Sequence, residues 1–169
     1  MRRKASCIPY RVRMTTHIDV RFHEVDAYNV VHNVHYFNYF DIGRFHLVNA
    51  FLRREKPSEI GEYLFLVLKS DCKFVHPARL ADLLAVETEF LYNPAQVGTN
   101  IVFQHRVVKI QEKRIAAEGA STLGICDREF HLQYRLPGDI RAYLHEQLRH
   151  HLREPRPNVK VWAGSGELG

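Results

Sequence analysis

The residues most able to do chemistry lie in Glu24–Phe40, EVDAYNVVHNVHYFNYF, where an acid stands a few positions ahead of an aromatic-rich helical run. Backbone N–H groups in the first turn of a helix have no partner within the helix, and that end carries partial positive charge. Such a setting favours the ionised form of Asp26, and an ionised aspartate serves as either a nucleophile or a general base. The open amides suit a carbonyl oxygen that becomes an oxyanion when its carbon is attacked. Attack on a carbonyl is therefore the chemistry this order of residue types supports. Asn33 stands where the helix begins and can cap its first turn. Beside it, His32 either orients water or substrate or is an ordinary loop histidine. Asp41 is the sole other acid between residues 34 and 54 and ranks below Asp26. An aspartate in this position can also be no more than a turn or cap residue.

The flanking sequence shows what must hold these groups. Residues 15–22, TTHIDVRF, alternate apolar and polar as a half-buried strand does. From about Asn33 to Arg54 the period becomes helical, with Phe37, Phe40, Arg44, Leu47, Val48 and Phe51 at spacings of three and four. About 20 helical residues reach about 30 Å. Tyr36, Tyr39 and Phe45 widen the apolar surface, so the helix is expected to be covered on more than one side. Gly43 costs about 1 kcal/mol of helix propensity against Ala and permits a strand to approach closely. Pro57, Ser58 and Gly61 close the helical region.

Strands are predicted over 63–75, 83–92, 99–110 and 114–126, with Gly119 and Gly124 marking bends or close backbone approach in the last. Their tight spacing predicts an antiparallel meander. A turn at Leu136–Asp139 leads to a short basic helix over 139–152. Residues 1–14 read as a flexible arm, 15–152 as one domain and 153–169 as a mobile tail. This order gives an α+β fold in which one long helix lies across an antiparallel sheet; there is no Gly-rich phosphate loop and no repeating strand–helix crossover.

Composition narrows the function classes. With 169 residues, 46% hydrophobic and 25% charged, the chain suits a single globular domain. No run of about 18 apolar residues occurs, so no membrane-spanning helix is expected, and the basic start lacks the apolar stretch of a secretory signal. Cys7, Cys72 and Cys126 show neither metal spacing nor a disulfide framework, which points to the cytoplasm. The 11 histidines are scattered and form no metal-protease pattern. The net charge of +5 collects toward the two ends, without a nucleic-acid-binding signature. No metal and no cofactor are expected.

The string VRFHEVDAYNVVHNVHYFNYFDIGR resembles the hotdog-fold acyl-CoA thioesterases of the 4-hydroxybenzoyl-CoA thioesterase-like group. KFVHPARLADLLAVET and GICDREFHLQYRLPGDIRAYL support the likeness more weakly, and together they cover roughly residues 15–145. The resemblance implies a curled antiparallel sheet of about five strands wrapped on one long central helix. It implies hydrolysis of an acyl-CoA or acyl-carrier-protein thioester, and homodimers or homotetramers with sites between subunits. In that family the residue at the position of Asp26 is the nucleophile or general base, and the amide seven places on, here that of Asn33, binds the thioester oxygen. An acyl pocket would draw on Tyr28, Tyr36 or Phe40, which equally read as core. Arg79, Lys113, Arg114 and Arg128, near strand ends or turns, are candidates for coenzyme A phosphates, although any one of them also suits plain solvation. Two other readings are a non-catalytic hotdog module that binds an acyl group or a protein partner, and a hotdog dehydratase, whose Asp/His motif is not seen here. The acyl group is not legible.

Overall fold

In the computed structural model the described residues are 9–52, 59–60, 62–93, 95 and 98–163. Seven strands form one sheet: β1 (Tyr10–Asp19), β2 (Glu59–Ile60), β3 (Tyr63–Phe74), β4 (Leu83–Tyr92), β5 (Ile101–Lys109), β6 (Arg114–Cys126) and β7 (Val159–Ala163). Helix α1 (Val34–Leu52) follows β1, and α2 (Gly138–Arg153) precedes β7. The order across the sheet is β2-β3-β6-β5-β4-β1-β7, and every pairing is antiparallel. The sheet curls about α1, giving an α+β hotdog fold. Two short edge strands raise the expected five to seven.

Only part of the predicted meander forms. Strands β4, β5 and β6 run side by side, but β3 pairs with β6 and not with β4. The 75–82 connection makes this crossing, anchored where Val31 donates to the Ala78 carbonyl at 2.8 Å and Val75 to that of Ala116 at 2.8 Å. Gly119 allows the β3–β6 approach, since a Cβ there would collide with the Asp71 carbonyl and the Phe40 ring.

The ends of the domain also differ from expectation. Residues 10–14, assigned to the arm, form half of β1, and residues 159–163, assigned to the tail, pair with them as β7. Each supplies the other's missing hydrogen bonds, a pairing between distant segments that local periodicity does not announce. Strand β1 then stops at Asp19, because Phe22–Glu24 turn into a single 3-10 turn that leaves Phe22 80% exposed.

Helix α1 is held from both ends. Gly43 lies against β4 so closely that a Cβ would strike Thr88 and Val86, as its sequence position predicts. On one side of this contact Tyr36, Tyr39, Phe40, Val86 and Ala116 pack together; on the other are Leu47, Phe51, Phe103, Leu123 and Leu144. At the far end α2 and the chain after it serve the last carbonyls of α1. Tyr143 Oη donates to Leu52 O at 2.8 Å, His151 Nε2 to Phe51 O at 2.9 Å and Arg156 Nη1 to Ala50 O at 3.3 Å. Those carbonyls have no partner within the helix.

Candidate active site

Asp26 sits at the head of a tight turn that returns the chain to α1. Its backbone N–H donates to Val30 O at 2.9 Å, and its own carbonyl accepts from Asn29 at 3.0 Å. The carboxylate closes the turn from inside: Oδ1 accepts the Tyr28 and Val30 amides at 2.8 and 3.3 Å. Asn29 takes a left-handed φ of 58°, which asparagine tolerates better than most residues. Asp26 is half-buried, and Oδ2 has no hydrogen bond among the described residues. One oxygen thus fixes the turn while the other stays available.

The same turn sets Asp26 beside the helix start. Val25 and Val31 form an isolated antiparallel bridge, and His32 N–H donates to Glu24 O at 2.9 Å. Helix α1 begins two residues later. The amides of His35 and Tyr36 bond back to the carbonyls of His32 and Asn33 at 3.0 and 3.3 Å. Those of Asn33 and Val34 have no hydrogen bond among the described residues, and Asn33 is exposed. A short two-stranded clip therefore couples a carboxylate to open helix-start amides.

The remaining sequence candidates separate into two groups. His32 is exposed, its ring edge-on to that of His35 with centroids 6.4 Å apart. Tyr28 is 84% exposed on the turn. Tyr36 and Phe40 are core side chains. The Tyr36 hydroxyl accepts the Ala78 N–H at 3.3 Å, and Phe40 stacks on His105 with centroids 4.6 Å apart. Asp41 is exposed and pairs with Arg44 at 2.9 Å. Of the four basic candidates for phosphate, Arg79 adjoins the turn, directly after Ala78.

Sequence reasoning passed over Glu24. Its side chain is 1% exposed and gathers every donor in reach: the Arg21 backbone amide at 2.8 Å, Arg21 Nη2 at 2.7 Å and Nε at 3.1 Å, and Tyr39 Oη at 2.9 Å. Burial works to raise its pKa, but these bonds outweigh burial and hold the carboxyl below its ordinary value. The Tyr39 phenol is pushed up, first by burial and then by the carboxylate. Through its side chain Glu24 grips the second turn of α1, and through its carbonyl it grips His32. An acid two positions ahead of Asp26 was the visible signal, but its partner lies fifteen residues away.

Donor atoms of Asp127, Glu129 and His131 lie within 4.8 Å of one another on the turn after β6. Asp127 already caps that turn by accepting the Glu129 and His131 amides at 3.1 and 2.8 Å.

An antiparallel sheet curled around one long helix defines the hotdog class. The particular family follows from a match to the thioesterase-like superfamily over residues 20–144, and the chain belongs to that superfamily. Solved structures share the fold at low identity. A 1,4-dihydroxy-2-naphthoyl-CoA thioesterase from Synechocystis is 12% identical with a TM-score of 0.65, over 79% of this chain and 96% of its own. A DHNA-CoA thioesterase from Staphylococcus aureus is 15% identical with a TM-score of 0.63, over 85% and 95%. The probable thioesterase YbaW from Escherichia coli is 22% identical with a TM-score of 0.60, over 79% and 97%.

Proposed function

We propose that this protein hydrolyses an acyl-CoA or acyl-carrier-protein thioester to a free acid and a thiol. Asp26 acts as nucleophile or general base, and the Asn33 backbone amide receives the thioester oxygen as it becomes an oxyanion. The observation that carries this reading is the Val25–Val31 clip, which ties a carboxylate with a free oxygen to unpartnered helix-start amides. Membership of the superfamily supports thioester chemistry, and two of the structural relatives are named for CoA thioesters. His32 assists by orienting water or substrate. Tyr28, exposed on the turn, meets the substrate's acyl group and Arg79, which follows Ala78, its phosphates.

A second copy of the chain completes the site. Strand β3 pairs with β6 along one edge, while its other edge pairs with β2 only at Tyr63 and Leu64. Most of that edge has no strand partner among the described residues and can meet the same strand of a partner, joining two sheets into one.

A panel of acyl-CoAs, extended to acyl carrier proteins, tests the reaction by release of free thiol. Hydrolysis of at least one member is expected, with loss of turnover in Asp26→Asn. A chain that binds acyl-CoA without releasing thiol would instead be a non-catalytic binding module, a role to which a turn-capping Asp26 is also suited.

A further inference from the structure

A cavity of about 160 Å³ lies between the second half of α1, the sheet and α2. Its wall includes Phe45 and Val48 of α1, Phe103 of β5, Leu123 of β6 and Leu144 of α2, with Arg44 at its edge. Protein interiors seldom hold voids much larger than a water molecule, and an apolar cavity of about 150 Å³ stays dry and accepts a molecule the size of benzene. Of its lining, Phe45 and Leu91 are each 50% exposed.

Its position separates it from the Asp26 turn. From Asn33, just ahead of α1, to Arg44, the first residue of α1 in the cavity wall, the helical rise is about 16 Å. Between the two places Gly43 is pressed onto Thr88 and Val86, and Phe40 is stacked on His105, so the core beneath the helix is closed there. The roof comes from Leu144 of α2.

Among the described residues that line the cavity, Arg44 is the one cation. The Arg44 side chain is 15% exposed and its ion pair at 2.9 Å is with Asp41, which is itself 60% exposed. A guanidinium offers five donors in a planar fork suited to a carboxylate, more than Asp41, its one ion-pair partner among the described residues, takes up. An apolar chamber with an arginine at its edge fits an alkyl chain that ends in a carboxylate.

We infer that this cavity binds a medium-chain fatty carboxylate, with the alkyl chain between α1 and the sheet and the carboxylate at Arg44. About six carbons fill the chamber, by comparison with benzene; further carbons lie toward the half-exposed Phe45 and Leu91. Binding here requires neither Asp26 nor thioester hydrolysis, so it stands or falls apart from the proposed reaction.

Calorimetric titration with octanoate tests the inference on the full-length protein. One octanoate is expected per protomer, with the negative heat-capacity change of apolar burial, and 1-octanol should bind more weakly. Val48→Phe and Leu123→Phe fill the chamber from opposite walls, and each should weaken octanoate at least 10-fold. Either one suffices if it retains the thermal unfolding transition of the parent. Arg44→Met should weaken octanoate at least 5-fold and leave 1-octanol unchanged, while Asp26→Asn should leave octanoate binding unchanged. Octanoate affinity unaltered by a folded filling variant, abolished by Asp26→Asn, or matched by 1-octanol would overturn the assignment.

Discussion

Two acids two residues apart are put to opposite uses. Asp26 spends one oxygen on its turn and keeps the other open, whereas Glu24 is buried and fully engaged. The two roles of Asp26 separate on substitution. Asp26→Asn keeps an Oδ1 acceptor for the Tyr28 and Val30 amides but removes the charge. It should lower kcat at least about 100-fold, the scale of a lost general base, with an unchanged unfolding midpoint. Asp26→Ala should do the same to turnover and also lose about 0.5–1.5 kcal/mol of stability with the turn bonds. Thiol-release kinetics beside urea unfolding read both, and full turnover in Asp26→Asn would remove Asp26 from the chemistry. Glu24→Gln faces the Arg21 donors with an NH₂ group where an acceptor stood, so about 1–3 kcal/mol of stability should be lost at neutral pH. The folded-state pKa of Glu24 lies below its unfolded value. Its contribution is therefore present above the unfolded carboxyl pKa and disappears as pH falls toward the folded one. The gap between parent and Glu24→Gln in urea unfolding should accordingly narrow from pH 7 to pH 3.5; a constant gap would contradict the assignment.

At the scale of elements, the position of α1 depends on contacts at its start, middle and end. Gly43→Ala gains up to about 1 kcal/mol of helix propensity but places a methyl group on Thr88, whose Oγ1 is 3.1 Å from His105 Nδ1. Overpacking of this kind costs about 1–3 kcal/mol, so net destabilisation is expected in urea melts, and a more stable variant would show that β4 can yield. Helix α1 and strands β4 and β5 were legible because each buries a face with its own period, and Gly43 stood out as a residue that only close packing explains. The pairings were less legible. Which strand lies beside β3, and the fact that residues 10–14 meet 159–163, depend on the closure of the whole sheet. The Asp26 turn was readable from one continuous string, but Glu24 was not, since its significance rests on Tyr39 in the second turn of α1.

Two properties belong to the molecule as a whole. His105 joins the halves of the core: 3% exposed, stacked on Phe40, bonded to Thr88 and near Arg44, it has its pKa lowered to about 3 by burial and, secondarily, by the Arg44 charge. Below the unfolded histidine pKa near 6.5 the unfolded chain takes up a proton that the folded one refuses. His105 should therefore cost up to about 1.4 kcal/mol of stability per pH unit as pH falls from about 6.5 to 3, and His105→Phe should flatten that slope in unfolding curves. The other property is assembly. The edge of β3 that is unpaired among the described residues runs through Val67 and Leu68, exposed at 44% and 47%, toward Phe74 at 50%. A long strand with an open edge and exposed apolar side chains is a template for another strand, and a second copy of β3 satisfies it by two-fold symmetry. Light scattering at micromolar concentration should give the mass of a dimer or of a dimer of dimers. A Val67→Glu, Leu68→Glu double variant puts charge in place of exposed apolar side chains on that strand and should shift that mass toward the monomer. Because the candidate site is proposed to be shared, kcat/KM should fall with the dimer fraction and recover as protein concentration rises. A monomeric parent, or a monomeric variant with full kcat/KM, would show that one chain carries the whole site.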